Sequence, residues 1–356
     1  MKARAVILVL IVAMFGGSWL MQSFVPDNEV RSYAADPLKQ EIPYGFPPPV
    51  YTFKNNPLTQ QGFNLGRRLF YEGRLSKDNY IACASCHQQH GAFSDFEHLL
   101  SHGDNNQFTL RNAPPLFNLA WHKELHLDGG INHIEVQPLA PITASNEMAS
   151  GIDSIIAKLS ADTSYTRMFK AAFGDATITS QRILKALAQF TGSLTSANSK
   201  YDQMRLGKVQ FTDMEYKGYQ IFRARCASCH TEPLLTDFSY RNIGLTVDTF
   251  LNDLGRMRIT GLPEDSLKFK VPSLRNVART NPYMHDGRYW GLAKAINHFA
   301  GFNAADLRTD SLIRNGAPLE KTDVYLVISF LHTLTDSSFL KDKRLVAPEF
   351  NGNIHQ

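Results

Sequence analysis

Cysteine is all but missing from this sequence. Four stand among 356 residues, and none lies outside two copies of one pentapeptide, Cys83-Ala84-Ser85-Cys86-His87 and Cys226-Ala227-Ser228-Cys229-His230. Excess charge is lacking as well. The formal net charge is +4, and without Lys2 and Arg4 at the extreme N-terminus the balance is 35 basic to 33 acidic residues. With no dense Lys/Arg stripe either, nothing recommends a nucleic-acid partner. Strand-like alternation is scarce, and the Pro/Asn/Gly-rich stretches between amphipathic segments read as loops. A hydrophobic content of 43% with 20% charged residues excludes a disordered or fibrous chain. The length is comfortable for two domains.

The N-terminus carries Lys2 and Arg4 and then an apolar run from Ala5 to about Val25. Residues 1–25 therefore read as an export signal, either cleaved or retained as an N-terminal membrane anchor. No A-x-A cleavage site is evident, and no lipobox cysteine follows, which argues against a lipoprotein. The remainder of the chain is expected in the periplasm.

An exported chain with an even number of cysteines would ordinarily form disulfides. Here each pair is spaced C-x-x-C with histidine immediately after, a poor structural crosslink but the pattern of covalent haem c. Both thiols add across the haem vinyl groups, and the following imidazole is carried under the iron. Zinc would need two further ligands per pair and no histidine at that place. Cys83, Cys86 and His87 thus form one haem-binding set, and Cys226, Cys229 and His230 the other.

The repetition reaches beyond the pentapeptide. Leu65-Gly66-Arg67-Arg68-Leu69-Phe70 precedes the first site and Lys217-Gly218-Tyr219-Gln220-Ile221-Phe222 the second, both in amphipathic helical patterns. Leu65 and Leu69, and Met214, Ile221 and Phe222, are expected to face the core. Thr212 and Glu215 have capping-box spacing, and Gly66 and Gly218 mark places of close approach. Leu110-Arg111-Asn112 and Leu274-Arg275-Asn276 read as a further matched pair, each upstream of an Asp-Gly turn. The expected fold is mostly α: two homologous cytochrome c-like haem domains with long loops, at 43–205 and 206–345.

Taken in order, NPLTQQGFNLGRRLFYEGRLSKDNYIACASCH, RNAPPLFN and FKVPSLRNVARTNPYMHDGR resemble the bacterial diheme cytochrome c peroxidase family, including its MauG-type members, from about Pro43 to Leu334. The resemblance implies that the His87 haem reduces hydrogen peroxide and that the His230 haem receives electrons from a small donor, a cytochrome c or cupredoxin. It implies a detachable distal histidine at His102, with His90 and His98 as rivals; a lone loop histidine is otherwise simply solvated. It implies a proton-shuttling carboxylate at Glu135, which would otherwise be an ordinary helix-start residue. It further implies one calcium ion on Asn112 with the backbone carbonyls of Thr280 and Pro282, an aromatic between the haems (Trp121 or Phe117), and commonly a homodimer.

Three positions depart from the family pattern. Its Trp-Asp-Gly-Arg turn reads Leu127-Asp128-Gly129-Gly130, losing an aromatic and a guanidinium. Its pocket glutamine reads as replaced by Leu125. Its sixth ligand to the second haem, Met or Tyr, falls on Phe299, which leaves Met284, His298 or a five-coordinate iron. Three functions follow in order: a periplasmic diheme peroxidase, a MauG-like oxidase of a partner protein or organic substrate, and a non-enzymatic diheme electron carrier.

Overall fold

The computed structural model describes residues 35–300, 308–314 and 319–349. The expected export segment lies outside these. Among the described residues no helix is long and apolar enough to cross a membrane.

Helices dominate, as expected. In chain order they are α1 (Gln60–Phe70), α2 (Cys83–Cys86), α3 (Leu139–Thr143), α4 (Ile152–Ser160), α5 (Thr163–Phe173), α6 (Ser180–Ser193) and α7 (Lys200–Arg205). They continue with α8 (Asp213–Arg225), α9 (Met257–Thr260), α10 (Leu292–Ala300), α11 (Ser311–Arg314), α12 (Lys321–His332) and α13 (Ser337–Leu340). The sheet of the described residues has two antiparallel strands, β1 (Tyr240–Asn242) and β2 (Lys268–Lys270), with Tyr240 opposite Lys270.

Two helix pairs repeat one construction. Thr59 caps α1 by accepting from the Gly62 amide at 3.0 Å, and α1 lays Leu65 and Leu69, both fully buried, against α6. At the crossing a Cβ on Gly66 would stand 1.9 Å from the Ala186 carbonyl oxygen and 3.0 Å from Phe190 Cβ. In the second pair a Cβ on Gly218 of α8 would stand 2.0 Å from the Leu326 carbonyl oxygen and 3.1 Å from Phe330 Cβ of α12. The capping box at Thr212 and Glu215 forms, Glu215 accepting from the Thr212 amide at 2.7 Å. Phe222 is buried behind it, but Met214 is half exposed. Met214 sits in the first turn of α8, one turn before the Gly218 crossing.

Each pair carries its own hydrophobic core. The first gathers Leu65, Leu69, Phe70, Phe93, Phe169 and Phe190; the second gathers Tyr201, Phe222, Leu235, Val327, Phe330 and Leu331. The chain order of the cores is not simple. Tyr201 of α7 lies before residue 206 yet belongs to the second core, whereas Phe339 of α13 and Leu345 return to the first.

The register of the duplication differs from the sequence reading. Asn118 (φ 55°) and Asn276 (φ 56°) both sit in left-handed geometry, each opening a 3-10 turn, Leu119–Trp121 and Val277–Arg279. The same 158 positions separate His126 from Met284, both left-handed, and Gly129 from Gly287, both with positive φ. They also separate the bridge Leu125–Ile131 from Tyr283–Tyr289. Asn118, not Asn112, is therefore the partner of Asn276. The two asparagines converge on one linker residue: Asn118 Nδ2 donates to the Ser196 carbonyl at 3.0 Å, and Asn276 Nδ2 to Ser196 Oγ at 2.9 Å. Asp336 closes this buried hub by accepting from the Ala197 and Asn198 amides.

Candidate haem sites

Both histidines of the pentapeptides are presented the same way. His87 follows the single turn α2, and its Nδ1 pairs with the Phe93 carbonyl at 2.7 Å. His230 Nδ1 pairs with the carbonyls of Leu235 (3.2 Å) and Pro272 (3.1 Å). A carbonyl on Nδ1 fixes the proton there and leaves Nε2 as the coordinating nitrogen, the usual second-shell arrangement of a metal-binding imidazole. Burial pushes the Cys83 thiol up to about 12 and those of Cys86 and Cys226 up to about 11, which disfavours the thiolate form. Among the described residues no cluster of three or more His, Cys, Asp or Glu is poised for a bare metal ion. The donor set therefore suits a porphyrin tethered by thioethers and ligated through histidine.

A cavity opens beside His87, walled by Phe70, Ile81, Leu116, Met148 and Leu187 together with Cys83 and Cys86. Four polar side chains besides His87 interrupt this apolar wall: Thr109, Gln137, Glu147 and Thr191. Gln137 and Glu147 are brought together by the short helix α3 between them, which reverses the chain. Burial raises the pKa of Glu147 and favours its neutral acid. Its backbone carbonyl accepts from the Asp104 amide at 2.7 Å, which fastens the 101–104 loop to the cavity rim.

The expected distal residues lie elsewhere. Glu135 is outside the cavity lining and accepts from the Tyr51 hydroxyl at 2.7 Å. His102 is exposed, with Nδ1 2.7 Å from Asn106 Oδ1 and its ring on Phe108. Its neighbour Gly103 reaches the cavity instead. His90 packs on Phe96, and His98 pairs with Asp95 at 3.1 Å. Leu125 is buried among Leu119, Ile134 and Ala188.

Around the second site, both nitrogens of His298 are engaged, Nε2 with the Ile243 carbonyl at 2.8 Å and Nδ1 with the Tyr289 hydroxyl at 3.4 Å. Phe299 is 40% exposed. Met284 occupies the left-handed position of the His-Asp-Gly turn, and His285 beside it stacks on Phe269 with ring centres 4.0 Å apart.

The two halves meet at their Asp-Gly turns. Asp286 takes a guanidinium from Arg288 within its own turn. Gly130 cannot supply one, and Arg111 does so instead, 2.6 Å from Asp128 while also gripping Asp253 at 2.5 Å. The guanidinium missing from the first turn is thus restored from another part of the chain. Lys270 of β2 donates its backbone amide to the Leu127 carbonyl at 2.7 Å and its ammonium to the carbonyls of Glu124 and His126. Trp121, not Phe117, packs against Leu234, the neighbour of the residue that receives His230. Phe117 belongs to the first core. Asn112 donates its amide to the His285 carbonyl at 2.8 Å and Nδ2 to those of His98 and Leu99. Thr280 and Pro282 flank Asn281, whose carbonyl receives the Glu97 amide at 3.1 Å.

Two sites of this kind on a duplicated helical scaffold define a protein that carries two covalent c-type haems. Residues 60–210 match the family model described as di-haem cytochrome c peroxidase. A methylamine utilization protein MauG of Methylophilus methylotrophus is 33% identical over 87% of this chain and 92% of its own length. A cytochrome c551 peroxidase of Nitrosomonas europaea is 33% identical over 76% of this chain and 79% of its own. A crystal structure of a MauG-like protein associated with microbial copper homeostasis superposes with a TM-score of 0.81 at 32% identity. It covers 87% of this chain and 99% of that one. The chain belongs to the di-haem cytochrome c peroxidase family, a family of oxidoreductases with two haem c groups.

Proposed function

We propose that this protein is an exported, periplasmic peroxidase that reduces hydrogen peroxide beside His87, using electrons delivered one at a time to the His230 site by a small redox protein. The observation that carries the reading is the contrast within the first cavity: an apolar wall that also includes a half-buried carboxyl, Glu147, and an amide, Gln137. The haem, when bound, supplies the iron that binds and reduces peroxide. The chain's own part is to manage protons. O–O heterolysis moves a proton from one peroxide oxygen to the other, a task for a buried group that is easily protonated. Glu147 is that group, in place of Glu135, and Gln137 is a hydrogen-bonding neighbour that neither gains nor loses charge. The apolar wall excludes bulk water, so the proton is handled by the carboxyl and not by solvent.

At the second site Met284 is the candidate sixth ligand, because a shift of His298 to iron would break its contact with the Ile243 carbonyl. Trp121 is the aromatic of the electron path. Calcium is assigned to Asn112 with the Thr280 and Pro282 carbonyls, where the segment carrying Asn112 meets the turn of the second half. The domain division, the N-terminal anchor and a homodimer belong to the same reading.

Purified holoprotein with a reduced donor and peroxide is expected to oxidise about two equivalents of one-electron donor per peroxide. Turnover no faster than that of free haem defeats the reading. A second reading, a MauG-like oxidase of a partner protein or organic substrate, is favoured by the MauG relative and by the MauG-like structure. It predicts instead that an oxidised state persists for minutes after peroxide when no donor is present.

A further inference from the structure

The turn of the first half carries an imidazole that the peroxidase reading leaves unused. His126 holds the left-handed position ahead of Asp128, the place Met284 takes in the second half. It is half-buried, and its Nε2 lies 3.3 Å from Nε2 of Gln137, the side chain that enters the cavity beside His87. Ring and amide can pair in two ways. Gln137 donates to a bare ring nitrogen, or, with the amide turned over, the ring N–H donates to its carbonyl. Either way the contact fixes the amide. Burial, reinforced by Arg111 and Lys270 and opposed by Asp128, lowers the pKa of His126 and keeps the ring neutral.

The backbone under this imidazole is held from the other half. Lys270 Nζ donates to the His126 carbonyl at 2.9 Å, and the Lys270 amide donates to the Leu127 carbonyl at 2.7 Å. Two residues beyond Lys270, past the end of β2, the Pro272 carbonyl receives His230 Nδ1 at 3.1 Å. Tyr240 and Arg256 clamp the same segment through Glu124, the tyrosine at 2.6 Å. A continuous path of covalent and hydrogen bonds thus runs from His230, the ligand of the second site, to Gln137 in the first.

We propose that His126 is a positioning residue of the first haem pocket, orienting Gln137 in the cavity while Lys270 keeps it in register with the segment after β2 whose Pro272 carbonyl receives His230. The inference rests on the two-haem reading of these sites.

The test uses ferric holoprotein and cyanide as a probe of the first haem, with the dissociation constant read from absorption and low-temperature EPR spectra. His126→Phe and Gln137→Leu are each expected to shift the constant by roughly five- to tenfold, the worth of one hydrogen bond. The double variant is expected to shift no further than the larger single change, because the two residues act through one contact. His126→Asn, which keeps a hydrogen-bonding group, is expected to stay within about twofold of the parent. Shifts that multiply in the double variant overturn the proposal, as does a His126→Phe constant within twofold of the parent. Should His126→Phe fail to take up two haems, His126→Asn decides: a shift as large as that of Gln137→Leu overturns it. Fewer than two haems in the parent protein would instead remove the reading on which the inference rests.

Discussion

Replacing Gly66 by alanine adds one methyl group at the tightest point of the first core. The new Cβ would stand 1.9 Å from the Ala186 carbonyl oxygen, 2.7 Å from its carbon and 3.0 Å from Phe190 Cβ. Two of these three neighbours are backbone atoms of α6, so no rotamer change relieves the overlap. An ordinary carbon–oxygen contact is about 3.3 Å, so α1 and α6 must part by more than an ångström, which forfeits much of the dispersion between them. Overpacking of a well-filled core costs typically about 1–3 kcal/mol, and a backbone clash belongs at the upper end. Against this, alanine recovers about 1 kcal/mol of helix propensity. The net expectation is a loss of about 2 kcal/mol. For a chain of this size that lowers the melting temperature by roughly 3 °C.

The assay is thermal unfolding of holoprotein, followed by far-ultraviolet circular dichroism and by haem absorbance. Gly218→Ala, with its Cβ 2.0 Å from the Leu326 carbonyl oxygen, should cost as much but loosen the second core. A Gly66→Ala protein at least as stable as the parent would refute the argument, since propensity would then have outweighed the clash.

Three more outcomes follow from the geometry. Glu147→Gln is expected to lower peroxide turnover by roughly 10²–10⁴-fold with both haems retained, the range for loss of a general acid–base group; Glu135→Gln, which disturbs only the contact with Tyr51, should stay within about tenfold, and the two variants are compared by donor oxidation. Burial holds Lys270 down to about 8 in the folded protein, below its unfolded value of about 10.4. The unfolded chain therefore binds more protons between these values, so this group adds stability as pH rises from about 8 to 10, by up to about 3 kcal/mol. Lys270→Met should flatten that rise in denaturant titrations across the window. The proposed calcium ion predicts that EGTA lowers both thermal stability and turnover and that added calcium but not magnesium restores them, because carbonyl-oxygen ligation suits the larger ion; elemental analysis before and after reports the occupancy.

The two C-x-x-C-H sets were legible in the sequence because covalent haem attachment demands fixed types at fixed spacing, and the structure presents both histidines alike, each with Nδ1 on a backbone carbonyl. The glycine crossings were legible for a related reason: only glycine fits where two helix backbones touch. The polar lining of the cavity beside His87 was not. Counting forward from the Asp-Gly turn finds Glu135 first, but α3 folds the chain back, and it is Glu147, twelve positions later, that enters the cavity with Gln137. Two prolines, Pro138 and Pro141, were the available sign that the chain reverses there. The repeated tripeptide Leu-Arg-Asn does not mark equivalent places in the two halves: half-buried Arg111 pairs with Asp128 and Asp253, whereas fully buried Arg275 pairs with Asp202. What repeats is the left-handed asparagine that opens a 3-10 turn, a conformational requirement that Asn118 meets without an arginine before it. His102 could not be placed from its neighbours, because exposure of a loop imidazole depends on which way the loop folds. The guanidinium supplied to Asp128 by Arg111 is likewise a long-range substitution with no local signature.

The most direct test of the account is the intact mass of the exported chain, made in a host that matures c-type cytochromes. The account predicts two porphyrins added through thioether bonds, one on the peptide holding Cys83 and Cys86 and one on the peptide holding Cys226 and Cys229. A chain carrying one porphyrin or none, or one whose cysteines are paired as disulfides, would contradict it.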